Sequence, residues 1–488
     1  MRIAIIGGGI AGLAAAYELE LARAAGQPVE YALFEAGPRL GGVIASSVMD
    51  GTVIERGPDS FLTEKPAAAQ LCRELGLGDQ LMPSNDAERK TYILVRNRLV
   101  ALPDGLMFLI PTKILPTVLT GLFSVWTKLR MGFELLQKPR AAGGDESVAA
   151  LVRRHYGQQA VDRLADPLLS GIYGGDAEQL SAQSVLPRLV EMEAKYGSLT
   201  RGMLAGLRAR REAAAQGEPR PAPPVFTTLR GGLQRMIDAL VERLDPGRLH
   251  CNAPIQAIEK SAAGWRVSAV AEQREGETEI YDAVIVATPA WAAAEMLREA
   301  DAGLSEELAA IPYSSSVTVN LVYSGWDLDP LPPGFGFLVP AVERRAMLAC
   351  TFIHRKFPGR TAPGKTVLRA FLGGAHNAHL LERTNEEIEV IVRRELFEIL
   401  AISADPEMVG VQRWPRAMAQ YAVGHKGRME RIQARLKELP GLRLVGNAYD
   451  GIGISDCIRL GRKAAAELAS RPLGSRPLSH PAIDQLHR

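Results

Sequence analysis

The stretch that determines the fold lies at the start of the chain, where Arg2–Ala16 reads R-I-A-I-I-G-G-G-I-A-G-L-A-A-A. The apolar run that follows Arg2 predicts a short buried strand, Arg2–Ile6, and the alanine-rich segment Ala11–Ala25 predicts a helix. Glu30–Glu35 (E-Y-A-L-F-E) predicts a second strand. A strand, a tight glycine turn, a helix and a second strand are the βαβ opening of a doubly wound sheet.

The glycines of this unit match the dinucleotide-binding pattern G-x-G-x-x-G. Gly7 permits the tight turn, Gly9 lets the backbone approach a pyrophosphate, and Gly12 allows close packing of helix and strand. The helix N-terminus then offers free N–H groups and a favourable dipole to the diphosphate. Glu35 follows at about the 20-residue spacing at which an acidic side chain accepts hydrogen bonds from a ribose. The predicted loop consists of Gly7, Gly8, Gly9, Ile10, Ala11 and Gly12.

Two features favour FAD over NAD. Glu35–Gly42 (E-A-G-P-R-L-G-G) carries E-x-x-x-R-x-G-G, which resembles the extension that FAD-dependent oxidases and desaturases wrap around the flavin side of the cofactor. No second G-x-G-x-x-G follows a predicted strand, whereas an enzyme that takes electrons from NAD(P)H through this fold usually carries two. The sequence therefore predicts non-covalent FAD. Further predicted contacts are Ala36, Arg39, Gly42 and Val43.

Two later segments support a flavin domain. Tyr281–Pro289 predicts a strand that ends in A-T-P, like the returning strand of FAD domains, and Leu442–Ile458 predicts a strand, a loop and the start of a helix. A helix that begins near Ser455 could aim its N-terminal dipole at the flavin pyrimidine and favour the reduced, negatively charged cofactor. The backbone of Ile452, Gly453 and Ile454 would then contact the flavin. Each segment alone is also compatible with an ordinary α/β unit.

At this point the sequence resembles the porphyrinogen-oxidising flavoenzymes of haem biosynthesis, the protoporphyrinogen and coproporphyrinogen III oxidases. The resemblance covers roughly residues 1–470. G-P-D-S-F and G-I-Y-G-G-D are more specific than the Rossmann glycines, which many flavoproteins share. The matching segments are Arg56–Phe61, Gly171–Asp176, Leu229–Leu233, Gly334–Pro340, Phe371–Gly374 and Asp450–Ile458.

The resemblance implies individual roles in the site. It places Gly57, Pro58, Asp59, Ser60 and Trp414 on the flavin, and Ile255 at the adenine end. Leu338 and Phe371 fall where family members sandwich the porphyrinogen rings, and Gly171 and Gly174 where bare backbone passes the substrate. A large, flat, apolar macrocycle suits an aliphatic face, an aromatic face and glycine at the closest approach. Without the resemblance, Leu338 and Phe371 would be interpreted as ordinary core residues.

The implied reaction is oxygen-dependent, six-electron oxidation of a porphyrinogen to the porphyrin, with hydrogen peroxide as the second product. The flavin carries the chemistry, so no catalytic side chain is assigned. Other hypotheses are a flavin amine oxidase, a carotenoid-type desaturase and a non-catalytic FAD-binding scaffold.

The sequence departs from the plant and mitochondrial members at one position. Those members carry an arginine that is taken to bind a propionate of the substrate, and Thr91 aligns with it. Nearby candidates for that role are Arg89, Lys90, Arg96 and Arg98.

The predicted fold class is α/β. It comprises a Rossmann-type FAD-binding domain of the amine-oxidase-like class, a mixed-sheet substrate domain and a helical membrane-binding domain. The predicted FAD-binding domain combines residues 1–82, 226–296 and 409–470, and the substrate-binding domain combines 83–95 and 297–408. Residues 96–210 form the helical domain, and 471–488 form a disordered tail.

The segment Ile114–Thr127 is free of charge and too short to span a bilayer, which needs about 20 residues. A stripe at helical spacing predicts a single amphipathic helix, and its members are Leu115, Val118, Leu119, Leu122, Phe123 and Trp126. Periodicity alone favours a helix that faces the core. The resemblance favours an interfacial helix that lies on a membrane, with Phe123 outside the core. From the membrane the enzyme would reach its substrate or a neighbouring haem-pathway enzyme.

Composition excludes several other classes. Lys+Arg of 57 against Asp+Glu of 55 gives a net charge of +2, which argues against a nucleic-acid binder. The cysteines form no C-x-x-C pair and the histidines show no ligand spacing, so neither a disulfide framework nor a metal site is predicted. The short apolar start does not resemble a signal peptide. We therefore expect a cytoplasmic protein with peripheral contact to the inner face of the membrane.

Overall fold

The computed structural model describes residues 1–107, 109–139, 143–215, 224–269, 278–324 and 331–470. The predicted tail 471–488 lies outside the described residues. The strands are β1 (Arg2–Ile6), β2 (Glu30–Phe34), β3 (Ser46–Met49), β4 (Thr52–Glu55), β5 (Phe61–Leu62), β6 (Leu81–Pro83), β7 (Thr91–Val95), β8 (Arg98–Ala101), β9 (Leu106–Met107), β10 (Ile110–Pro111), β11 (Phe226–Leu229), β12 (Leu249–His250), β13 (Ile255–Ser261), β14 (Gly264–Ala269), β15 (Thr278–Tyr281), β16 (Ala283–Val286), β17 (Tyr313–Ser324), β18 (Gly336–Leu338), β19 (Met347–Phe352), β20 (Lys365–Gly373), β21 (Met408–Ala419) and β22 (Leu442–Leu444). The helices are α1 (Ile10–Ala24), α2 (Ala67–Glu74), α3 (Ile114–Leu119), α4 (Val125–Phe133), α5 (Val148–Tyr156), α6 (Gln158–Ala160), α7 (Asp166–Tyr173), α8 (Ala182–Val185), α9 (Pro187–Tyr196), α10 (Leu199–Ala215), α11 (Gln234–Glu242), α12 (Ala290–Met296), α13 (Ala302–Ala309), α14 (Ile353–Lys356), α15 (Asn385–Leu400), α16 (His425–Lys437) and α17 (Ile454–Ala469).

A parallel sheet carries the N-terminal unit, in the strand order β12-β2-β1-β16-β22. The predicted βαβ opening, the returning strand and the final strand–helix unit are confirmed by β1, α1, β2, β16, β22 and α17. Helices α1 and α17 pack against each other, since a Cβ on Gly461 would lie 2.1 Å from the carbonyl oxygen of Ala11. The two helix N-termini are therefore held at the carboxyl ends of β1 and β22, which flank β16, and ligands bind at this edge in sheets of this kind.

A second, larger sheet has the order β21-β17-β20-β19-β18-β7-β8. Strand β18 pairs parallel with β7, and the remaining neighbours pair antiparallel. On β20, Leu368, Ala370 and Leu372 join the buried core under α15, so the alternate residues face the opposite side of the sheet. The sheet includes β8 and continues on β21 to Ala419. The large sheet therefore extends past residues 95 and 408, where the sequence predicts boundaries of the substrate-binding domain.

The segment 147–211 is mostly helical, as predicted, and forms α5 to α10 around a separate apolar core. A single π-helical turn, Val161–Ala165, leads directly into α7. His155 is fully buried in this core, with Nδ1 3.0 Å from Glu134 and Nε2 3.2 Å from Glu193. This polar bridge ties the end of the α4 region to α5 and α9.

The prediction of one continuous helix over Ile114–Thr127 is wrong. The chain leaves the helical conformation at Thr120, whose Oγ1 accepts a hydrogen bond from the Leu122 amide at 3.1 Å. Ser124 then caps α4 by accepting from the Thr127 amide at 3.3 Å. The stripe divides as a result: Phe123 is only 4% exposed, which contradicts its predicted place outside the core.

Eight apolar side chains of α3, α4 and the following turn are exposed on the protein surface, whereas Met131 of α4 is buried. We call this group the exposed apolar helix pair, and its members are Leu115, Val118, Leu119, Val125, Trp126, Leu129, Phe133 and Leu136. Within the described ranges, no helix is both long and apolar enough to cross a bilayer.

Candidate active site

The glycine loop between β1 and α1 is packed backbone against backbone. Gly7 has φ of +109°, and its amide donates to the Phe34 carbonyl at 2.7 Å. A Cβ on Gly12 would lie 1.9 Å from the Gly7 carbonyl oxygen, so only glycine fits there. A Cβ on Gly9, in contrast, would meet no described atom within 4 Å. The loop thus leaves open space at the position predicted to face the pyrophosphate, immediately before Ile10 and Ala11 begin α1.

Glu35 connects the glycine loop to the turn after β2. Its Oε2 accepts from the Gly8 amide at 2.7 Å and its Oε1 from the Gly37 amide at 2.8 Å. Each carboxylate oxygen retains a second lone pair. Glu35 can therefore accept hydrogen bonds from a ribose while it holds the loop.

The predicted E-x-x-x-R-x-G-G extension folds back onto the glycine loop. The Arg39 guanidinium donates to the carbonyls of Ile44, at 3.1 Å, and Gly42. A Cβ on Gly42 would lie 3.2 Å from the Cα of Gly9, so the extension and the open loop position are adjacent. Ala36 and Val43 are exposed beside them.

The Gly57–Ser60 loop lies next to this extension. A Cβ on Gly57 would overlap the Val43 carbonyl oxygen at 1.7 Å and lie 3.6 Å from the Trp414 ring. Trp414 donates from Nε1 to the Arg56 carbonyl at 3.0 Å. The structure therefore brings together the loop of Gly57, Pro58, Asp59 and Ser60, the extension and Trp414.

The C-terminal segment adds the N-terminus of α17. The Gly453 amide donates to Asp456 at 3.2 Å, and Lys65 forms an ion pair with Asp456 at 2.6 Å. Ile452 and Ile255 both pack against the same buried core as the strand ends of β16 and β22. Ile454 begins α17 and is nearly buried. The predicted contacts at both ends of the cofactor thus surround one sheet edge.

The predicted substrate residues lie along the large sheet. Leu338 and Phe371 are both paired with Ala349 on β19, so they share one face and stand about 10 Å apart, two strand spacings. A Cβ on Gly171 would lie 3.0 Å from Leu338 Cδ2. Gly174 ends α7 with φ of +57° and accepts from the Ala375 amide at 3.0 Å. Helix α7 therefore lies along the same face of the sheet as these two side chains.

Three observations indicate that FAD fits along the glycine loop and the Gly57–Ser60 loop. The loop position at Gly9 is an open cradle. Next to Gly7, the buried Thr288 Oγ1 has no hydrogen-bond partner among the described residues. Beside Gly57, the Nε of the buried Arg369 lacks a partner as well. Unsatisfied buried polar atoms are uncommon in folded proteins, and a dinucleotide along this edge offers both donors and acceptors.

The sequence analysis missed the charged residues behind the Gly57–Ser60 loop. Lys356 Nζ lies 3.0 and 3.2 Å from the two Asp59 oxygens, and Arg369 donates to the Gly57 carbonyl. Burial opposes ionisation of Asp59, but Lys356 and Arg369 hold the pKa of this carboxyl well below its ordinary range. The available signal was Arg369 in the middle of an apolar strand, V-L-R-A-F-L, because a buried cation needs a partner.

Among the described residues, no group of three or more His, Cys, Asp or Glu side chains could hold a metal ion. Burial raises the pKa of the Cys457 thiol to about 12, so this thiol stays protonated at neutral pH and has weak nucleophilic character.

A glycine loop on a parallel sheet, joined to a mixed sheet that carries the predicted substrate residues, is the arrangement of FAD-dependent oxidoreductases. The family model "Flavin containing amine oxidoreductase" matches residues 10–469. The chain belongs to this family, and the amine-oxidase-like fold predicted from the sequence is confirmed.

Individual relatives agree with the predicted resemblance. The chain is 36% identical to a coproporphyrinogen III oxidase of Bacillus subtilis, over 96% of this chain and 97% of the relative. It is 33% identical to a coproporphyrinogen III oxidase of Staphylococcus aureus, over 96% and 98%. A crystal structure from Exiguobacterium sp. 255-15, named for protoporphyrinogen oxidase, superposes with a TM-score of 0.83 at 32% identity, covering 96% of this chain and 98% of that one.

Proposed function

We propose that this chain oxidises coproporphyrinogen III to coproporphyrin III, and that protoporphyrinogen IX is the alternative substrate. The observation that carries the proposal is similarity over almost the whole chain to relatives named coproporphyrinogen III oxidase. The balanced reaction removes six electrons and six hydrogens in three rounds, consumes three molecules of oxygen and releases three of hydrogen peroxide. The bound FAD supplies the two-electron chemistry of each round.

The chain's own residues bind and orient the reactants. Glu35 and the glycine loop would hold the adenosine diphosphate part of FAD, and the Gly57–Ser60 loop, Trp414 and the start of α17 would hold the flavin part. Leu338 and Phe371 project from one face of the sheet about 10 Å apart, and this gap would suit a flat macrocycle that turns one face to each side chain. Gly171 would let backbone pass close to it, and the apolar surroundings would exclude water.

An anaerobic reaction separates the candidate substrates. Each porphyrinogen is mixed with the oxidised enzyme, and bleaching of the flavin absorbance is followed. We expect rapid bleaching with coproporphyrinogen III, slower bleaching with protoporphyrinogen IX and none with amines. In air, three molecules of hydrogen peroxide should form per porphyrin. Bleaching by amines but by neither porphyrinogen would overturn the proposal.

A pair of glycine variants tests the substrate side. Gly171→Leu should raise KM for the porphyrinogen at least tenfold, because its side chain enters the space beside Leu338. Gly206→Leu on α10 is the matched control, since a Cβ there would meet no described atom within 4 Å. Both proteins should retain FAD. Equal KM values in the two variants would remove Gly171 from the substrate site.

We further propose that the exposed apolar helix pair rests on the inner face of the cell membrane, where a cytoplasmic enzyme would reach an apolar substrate or a neighbouring haem-pathway enzyme. Trp126 is 82% exposed and Phe133 68%, and aromatic side chains favour the membrane interface.

Vesicle co-sedimentation tests this contact. The double variant Trp126→Ser/Phe133→Ser should bind phospholipid vesicles several-fold more weakly than the unmodified protein. The control Val390→Ser/Phe397→Ser changes side chains of 67% and 57% exposure on α15 and should bind normally. Equal sedimentation of both variants would assign the helix pair to some other partner.

A further inference from the structure

Five charged side chains are buried together behind the Gly57–Ser60 loop. We call them the buried charge cluster, and its members are Glu55, Asp59, Lys356, Arg360 and Arg369. No side chain in the cluster is more than 13% exposed, and Arg360 is fully buried. Removing this many charges from water is expensive unless each is paired, so the arrangement calls for a functional explanation.

The pairing within the cluster is incomplete. Asp59 accepts from Lys356 and lies 4.0 Å from Arg369, while Glu55 pairs with Arg360. Three cations therefore share two carboxylates, which leaves one positive charge in excess. The Nε atoms of Arg360 and Arg369 also lack hydrogen-bond partners among the described residues. Both the charge count and the unpartnered Nε donors favour a negative charge next to the cluster.

The excess charge lies between the loop predicted to hold the flavin and the side chain of Phe371, which is predicted to face the substrate. Arg369 donates to the Gly57 carbonyl, and Arg360 donates to the Asp59 carbonyl at 3.3 Å. On its other side, the Arg369 guanidinium lies 4.9 Å from the centre of the Phe371 ring. Cations thus contact both the backbone and the Asp59 carboxylate of the loop predicted to hold the flavin.

We propose that the buried charge cluster raises the reduction potential of the bound FAD, because its excess positive charge stabilises the negative charge that the flavin gains on reduction. A preorganised charge in a site without water acts strongly on such a change. Lys356 contacts the loop through the Asp59 carboxylate and is the cluster residue whose charge the test removes. It acts on the flavin through its charge and is therefore a positioning residue. The inference rests on the proposed placement of Gly57–Ser60 against the flavin.

Charge counting makes the test specific. Each variant is reduced anaerobically in the presence of a reference dye, and the ratio of reduced to oxidised FAD is read at a fixed dye potential. Lys356→Met removes the excess charge and should lower this ratio at least tenfold, which is about 30 mV for a two-electron couple. Asp59→Asn should raise the ratio, and Lys356→Arg should leave it near that of the unmodified protein.

The double variant Asp59→Asn/Lys356→Met restores one excess positive charge and should return the ratio to within about threefold of the unmodified protein. If Asp59 and Lys356 had only a structural role, the double variant should differ more from the unmodified protein than either single variant does, because it loses more contacts. Lys365→Met is the matched control, because Lys365 lies on β20, the strand that carries Arg369, but pairs with Glu407 at the surface. It should leave the ratio unchanged.

Three results would overturn the inference. These are an unchanged ratio in Lys356→Met with FAD bound, shifts of the same sign in the two single variants, and loss of FAD from both Lys356→Met and the double variant. The ratio is measured with a dye and without porphyrinogen. Failure of the proposed substrate would therefore leave this readout intact, and the two proposals can fail separately.

Discussion

The glycine loop and the exposed apolar helix pair differ in how their sequences determine their structures. A side chain on Gly12 of the loop would collide with backbone at 1.9 Å, and one on Gly461 of α17, which packs against the start of α1, would do so at 2.1 Å. In the helix pair, apolar side chains point both into the core, as Phe123 does, and into solvent, as Trp126 does. Close backbone contact admits one residue type, whereas helical periodicity identifies an apolar stripe without showing what covers it.

Alanine substitutions at two glycines of the loop, Gly12 and Gly9, give the largest expected effect and test whether backbone packing is the constraint. Gly12→Ala should destabilise the protein by about 3 kcal/mol or more, because neither the Gly7 carbonyl nor α1 can move away. Gly9→Ala should fold normally, since its Cβ enters open space, and lose FAD affinity. Thermal melting and flavin content of both purified proteins give the answer. Similar melting temperatures would show that loop packing is not the constraint.

Within the helix pair, the contrast is between Phe123 and Trp126. Phe123→Ala should lower the free energy of unfolding by about 3–5 kcal/mol, because it empties a buried site. Trp126→Ala should change it by less than about 0.5 kcal/mol, since the side chain is mostly in solvent. Urea denaturation of both variants measures the difference. A large loss for Trp126 would mean that this surface is covered in the folded protein.

Glu35 tests whether the loop binds as well as packs. Glu35→Gln keeps one carbonyl acceptor for the two amides of Gly8 and Gly37 and removes the charge. The dissociation constant for FAD should rise roughly ten- to hundredfold, about 1.5–3 kcal/mol. Fluorescence titration measures it. Glu30 is exposed at the start of β2, the strand that Glu35 directly follows, so Glu30→Gln should bind FAD normally. Equal affinities in the two variants would contradict the ribose assignment.

The smallest expected effect concerns Glu134, next to the helix pair. Burial opposes its ionisation, but hydrogen bonds from His155, Thr200 and Ser198 hold its pKa below the ordinary value of 4.5. Since the folded pKa is lowered, this carboxylate stabilises the fold above about pH 4.5, and the stabilisation is lost as the pH falls through the folded pKa.

The variant Glu134→Gln should be less stable by about 1 kcal/mol at pH 7, which is the difference between a charged and a neutral hydrogen bond. Its disadvantage against the unmodified protein should shrink on acidification. Melting temperatures measured from pH 7 to pH 3 show both effects. A constant difference across this range would mean that Glu134 is not ionised in the folded protein.

The sequence predicted the βαβ opening and the family, because the glycine spacing and the G-P-D-S-F and G-I-Y-G-G-D segments are local signals. Two features were not predictable from local signals. The break at Thr120 depends on a side chain that accepts from the Leu122 amide, and no apolar pattern encodes it. The pairing of Asp59 with Lys356 joins positions that are far apart in the chain, so no motif could contain both.

The order of the parallel sheet has a consequence for how the protein is made. Strand β1 lies between β2 and β16, and β22 completes the edge beside β16. During translation the first βαβ unit leaves the ribosome early, but the strands that complete the sheet follow only with residues 249–250, 283–286 and 442–444. Such long-range pairing forms slowly. Flavin uptake should therefore come at the end of synthesis, and nascent chains that stop before residue 442 would expose an apolar strand edge to proteases.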